Sequence, residues 1–197
     1  MNIFRLKTTL IVLLVFFSFS NSFGQVAANE IRWSKDRTLE WSDFKKTADD
    51  NAPVDAWAWI GEFYGYTGNK DANGKYALTF ETASAMRPDS SWVKINGKSK
   101  QILHHLQLRF DISEFFRRQL LAALKAFTYT DKYQEETQKI YQRITQQRTA
   151  LLKVYEDQTE NSKAAMFQKK WDDYIADLLN SNYTLEEALA KQPKKNE

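Results

Sequence analysis

From Ser99 to Phe127 the chain has no Pro or Gly, and Leu103, Leu106, Phe110, Leu120, Leu121, Leu124 and Phe127 recur at helix-compatible spacings. Such spacing lines one face of an α-helix, so a long helix is expected here, with a kink near Asp111–Ser113. Tyr133, Thr137, Ile140, Tyr141, Ile144, Leu151, Leu152 and Tyr155 repeat the pattern in a second helix. Asp131 with Gln134 reads as its capped start. Asn161-Ser162 breaks this helix and can cap a third, which turns Phe167, Trp171, Tyr174, Ile175 and Leu178 inward. Thr184 and Glu187 have the spacing of a capping box for a short last helix, and residues 191–197 read as a frayed tail.

The preceding stretch is patterned differently. Ala56–Tyr66 is aromatic without helical spacing, which favours a strand, and Gly61 and Gly65 sit within it as in bulged or bent strands. After a turn at Asn69–Gly74, Tyr76, Leu78 and Phe80 alternate with Ala77, Thr79 and Glu81, the period of a half-buried strand. The two strands form a hairpin, and Ser91–Ile95 is a short third strand closed by Asn96-Gly97. Trp33, Leu39, Trp41 and Phe44 are packing anchors. The expected fold is α+β, a single domain over residues 25–190. A small antiparallel sheet at about 30–97 precedes three long helices within 99–190.

Residues 1–24 read as a signal peptide. Arg5 and Lys7 precede the apolar run Leu10–Phe17, and Ser20–Gly24 supplies small residues before a cleavage point at Gln25. An uncleaved anchor would need about 20 apolar residues, and this run is shorter. The chain has no Cys, which excludes a lipoprotein linkage, disulfides, thiolate metal sites and a Cys nucleophile. A periplasmic or secreted protein without a stable membrane anchor is expected. The formal charge of +3 falls near neutrality once Arg5 and Lys7 are removed. The basic clusters (Lys94 to Lys100, Arg117-Arg118, Lys191 to Lys195) are scattered, so the continuous basic face that nucleic acid requires is missing.

Both histidines lie together in Ile102–Ile112. A helical zinc-protease site needs two His four residues apart and a Glu after the first, so that two rings meet one metal and a carboxylate activates its water. Here His105 is followed by Leu106, which accepts no proton, and Arg109 stands four residues on, where a permanent positive charge repels zinc. Ser91-Trp92-Val93, Ile102-Leu103, Phe110-Asp111-Ile112, Glu114 and Arg117 or Arg118 nevertheless follow one another in a telling order. So do Tyr155–Ser162, Gln168 to Trp171 and the upstream Leu39–Phe44. This series resembles a bacterial domain-of-unknown-function family of secreted zinc-dependent proteases. Its members read Leu-Leu-x-His-Glu-Gln-x-His-Phe-Asp-Ile, then Tyr-Asp-x-Glu-Thr-x-His-Gly. The resemblance implies a protease-like helix joining sheet to bundle. It also implies that His105, Leu106, Arg109, Gln158 and Asn161 are vestiges of a site whose base and second ligand are lost.

A non-catalytic member of that family is therefore expected, with an unknown protein, peptide or glycan as partner and no cofactor. One alternative is a metal-dependent peptidase in which His105 holds zinc with Glu156, Asp157 or Glu160. Another is a glycan-binding module using Trp57 and Trp59. Against the second, two aromatics two residues apart share one strand face and are expected to pack on the helices. Arg109 is expected to pair with Asp111, Glu114 or a carboxylate of the second helix. His104 and Asp111 share a helix face but lie two turns apart, too far for joint ligation. There is no Gly-rich phosphate loop and no Gly-x-Ser-x-Gly elbow.

Overall fold

The computed structural model describes residues 29–72 and 74–194; the segment expected to be a signal peptide and the last three residues of the tail lie outside them. The hairpin forms as the alternation predicts. Strands β3 (Ile60–Lys70) and β4 (Tyr76–Met86) pair antiparallel in continuous register from Ile60 opposite Met86 to Lys70 opposite Tyr76. The turn closes through Asp71 N–H to Lys75 C=O (2.8 Å), with Gly74 at φ +77°, a conformation that favours glycine. Strand β1 (Ile31–Arg32) adds to the free edge of β4, giving the order β1-β4-β3.

The aromatic stretch does not run as one strand. Ala56–Trp57 forms β2, which pairs with β5 (Trp92–Val93) in a separate two-stranded sheet. The chain crosses between sheets at Ala58-Trp59, where Trp59 N–H donates to Ser91 Oγ and Trp59 C=O accepts from Arg87 N–H. The expected shared face of Trp57 and Trp59 is thereby lost. Trp57 is 41% exposed, while Trp59 lies under the Arg87 guanidinium, 4.1 Å from the ring centroid. The strand expected at Ser91–Ile95 shrinks to two residues and runs into a 3₁₀ turn at Ile95–Gly97.

Helix α1 (Lys100–Ala126) is capped by Ser99, whose side chain accepts from Ile102 N–H. It runs unbroken through Asp111–Ser113. Asp111 accepts from Trp33 Nε1 and Gln107 Nε2, and Ser113 donates to Glu62, so neither side chain competes for the helix's own backbone groups. Helix α2 (Tyr133–Thr159) starts at Lys132 without a side-chain cap. The expected Asp131 cap is instead an ion pair with Lys70 (3.0 Å), and Thr130 and Glu136 clasp the helix start. Three consecutive non-glycine residues with positive φ, Glu160, Asn161 and Ser162 (48°, 51° and 83°), end α2. They do not cap α3 (Ala165–Asn180), which starts after Ala164 without a side-chain cap. The Thr184–Glu187 capping box is present at α4 (Leu185–Ala190). The architecture is α+β, a small antiparallel sheet followed by helices, three of them long.

Two apolar clusters flank α1. The larger packs Ile112, Phe116 and Leu120 with Phe80 and with Ile144, Leu151, Tyr155 and Trp171 of the other helices. The smaller packs Leu106 and Phe110 with Leu39, Phe44, Ala58 and Met86. A buried polar clamp ties sheet to helices. Glu62 of β3 lies 3.1 Å from Arg148 Nε of α2 and accepts from Ser113 of α1, while Arg148 Nη1 donates to Ile60 C=O. Burial pushes the Glu62 carboxyl above its usual range, and Arg148 opposes this. Removing one partner of such a pair strands the other charge, so Glu62→Ala is expected to cost about 3–5 kcal/mol in urea unfolding; a loss below about 1 kcal/mol would show that the clamp does not hold the sheet.

Candidate functional site

Ile102, His105, Leu106 and Arg109 lie three and four residues apart, so α1 presents them on one face. That face forms one wall of a cleft of about 510 Å³; β2 with the residues before it and the end of α2 supply the others, through Val54, Asp55, Trp57, Glu156 and Asn161.

His105 is 4% exposed, and its ring stacks on Tyr155 with centroids 4.5 Å apart. Its Nδ1 is 3.3 Å from Gln168 Oε1. The amide is oriented by its other end, since Gln168 Nε2 donates to the Asp172 carboxylate (3.2 Å) and to the Tyr155 hydroxyl (3.1 Å). The carboxylate takes only donors, so Gln168 must turn its oxygen to His105, and Nδ1 carries the proton. The Nε2 lone pair is then left for the cleft, with no hydrogen-bond partner among the described residues. Burial pulls the imidazole pKa down to about 4, and the Arg109 charge acts in the same direction. Tyr155 also donates to His105 C=O (3.2 Å).

Arg109 is 8% exposed. Its Nε is 3.1 Å from Glu156 Oε1 without hydrogen-bond alignment, and the guanidinium carbon lies 4.6 Å from the Trp57 ring centroid. Of the partners expected for Arg109, the helix-two carboxylate is the one observed. Asp111 is taken by Trp33 and Gln107, and Glu114 by Arg117 and Arg118. Burial lowers the guanidinium pKa and Glu156 opposes it; a guanidinium has ample range to stay charged.

The positions expected to be vestiges of a site divide. His105, Leu106, Arg109 and Asn161 line the cleft, although Leu106, 2% exposed, belongs chiefly to the smaller core. Gln158 is elsewhere, since it accepts from Trp171 Nε1 (2.9 Å) and donates to Pro193 C=O (3.0 Å). Trp57 lines the cleft and Trp59 does not. Two of the carboxylates considered as zinc ligands are paired with cations. Glu156 pairs with Arg109, Asp157 with Lys153 (2.7 Å), and among the described residues no group of three His, Asp or Glu could hold a metal ion. One imidazole beside a guanidinium does not fit zinc.

A second cleft of about 580 Å³ opens on the far flank of α1 beside Trp33, His104, Asp111 and Asp172. Several of its polar groups are engaged in pairs or a cluster: His104 Nε2 meets Asp172 at 2.9 Å, and Asp111 holds Trp33 and Gln107. Sequence reasoning did not identify the Tyr155–Gln168 support of His105. It marked both segments, but only the crossing of three helices puts them on one ring. Comparison of the chain with protein-family models, with curated proteins and with solved structures found no match.

The folded His105 pKa lies below the unfolded value, so its contribution to stability is complete above about pH 6.5 and lost as pH falls toward 4, on the order of 3 kcal/mol. The chain has two histidines, and His104→Asn assigns their NMR ring signals. The His105 Cε1–H resonance is expected to titrate with a midpoint near 4; a midpoint at its ordinary value would refute a buried neutral ring.

Proposed function

We propose that this chain is an exported, non-catalytic member of the secreted zinc-protease-like family that its motifs resemble, and that it acts by binding a partner in the cell envelope. The observation that carries this reading is the buried Arg109, seated on Glu156 and Trp57 where the second metal ligand would stand. A zinc ion on His105 Nε2 would lie beside a fixed positive charge and would be short of the three protein ligands a catalytic site uses. Water activation also needs a base, and the position next to His105 is a core leucine. The charged and apolar runs of the first 24 residues support export. A glycan-binding reading has one observation in its favour, the 41% exposure of Trp57, although Arg109 stacks on that ring.

The test uses protein purified from the envelope fraction, with its amino terminus read by mass spectrometry. Bound metal and peptidase activity are then measured with and without chelator. The expected result is a chain starting at Gln25, with no stoichiometric zinc and no chelator-sensitive cleavage. Stoichiometric zinc with chelator-sensitive cleavage would overturn the non-catalytic reading, and an intact leader on cytoplasmic protein would overturn export.

A further inference from the structure

Hydrogen-bonding capacity in the cleft beside His105 is unevenly used. Arg109 is more than nine-tenths buried, yet its Nε makes no aligned hydrogen bond although Glu156 Oε1 lies 3.1 Å away, and its Nη atoms are left to the cleft. His105 offers a lone pair on Nε2 from an equally buried ring. In the second cleft, by contrast, Arg118 donates to Glu114 and to Leu179 C=O. A buried donor without an aligned partner is costly, and the Nη donors beside it face a cleft that a ligand can enter.

We infer that the cleft receives the free carboxyl terminus of a peptide, with the terminal carboxylate on Arg109 and the last amide N–H on His105 Nε2. This rests on the non-catalytic reading, since the Arg109 charge that excludes a metal is what attracts the carboxylate. The planar guanidinium matches a carboxylate through two parallel hydrogen bonds, and stacking on Trp57 fixes the plane in which they form. Val54 and Ile102 line the same cleft and offer an apolar wall for the last side chain. Lys163 stands at the cleft after three left-handed residues, with Ser162 C=O held by Gln101, and adds positive charge. A peptide suits the site better than a sugar acid. Val54 and Ile102 give the cleft an apolar wall that suits a side chain, and one face of the Trp57 ring, where a sugar would stack, is already covered by Arg109.

Calorimetric titration of the mature chain with N-acetyl-Ala-Ala-Leu and with its carboxy-terminal amide tests this. The free acid is expected to bind about tenfold or more tightly than the amide. Arg109→Met is expected to abolish the difference, and the fold is expected to persist because the Glu156 side chain, 31% exposed, can turn to water once its partner is gone. Should that variant fail to fold, the exposed Trp57→Ala is expected to weaken the free acid severalfold. Equal binding of acid and amide, binding of neither, or tighter binding of N-acetylmuramic acid than of the peptide would each overturn the proposal. Zinc content and cleavage of the same peptide are followed in the same samples. Zinc-dependent cleavage would sink the non-catalytic reading, whereas zinc-free protein that binds neither peptide would sink the carboxylate site alone.

Discussion

Helix α1 has apolar residues on two faces, and each face has a core to fill. Ile112, Phe116 and Leu120 close the larger cluster under β4, α2 and α3, while Leu106 and Phe110 close the smaller one against Leu39, Phe44 and Met86. This double obligation fixes the rotation of the helix, and so fixes which side chains reach the cleft. His105 and Arg109 lie one turn apart between the clusters and project together. The Glu62–Arg148–Ser113 clamp holds α1 and α2 at the spacing that brings Glu156 to Arg109.

Within that frame the positions marked by the sequence resemblance are used in different ways. Leu106 belongs to the core. Gln158 bonds Trp171 and the backbone of Pro193. His105 has a proton on Nδ1 held by an oriented acceptor and a lone pair outward, as metal-binding imidazoles do, but it faces a guanidinium. Arg109 is the least settled of them, buried with its Nε lacking an aligned partner. A residue that only filled space would be apolar here, which is why Arg109 is read as a binding group.

The long periodic segments were legible in the sequence because helical spacing over many residues leaves little choice. The Tyr76–Phe80 alternation was legible for the same reason. The break at Ala58-Trp59 was not, because it depends on Ser91 and Arg87 capturing the Trp59 backbone from more than two dozen residues away. Caps failed where a distant partner won, as when Lys70 took Asp131. At the site, sequence spacing identified His105 and Arg109 as neighbours and named a helix-two carboxylate among several partners. Which carboxylate, and the Gln168–Tyr155 support of the imidazole, follow from how α2 and α3 cross α1.

The non-catalytic reading rests on the Arg109 charge keeping a metal out of this cleft. Zinc affinity measured by competition with a chromophoric chelator tests it most directly, comparing the parent chain with Arg109→His. That change removes the charge, frees Glu156 and sets a second imidazole four residues from His105, a His₂Glu donor set that zinc accepts. No zinc binding by the parent and a one-to-one site in Arg109→His are the expected results. Equal zinc binding by both, or zinc bound by the parent alone, would contradict the claim.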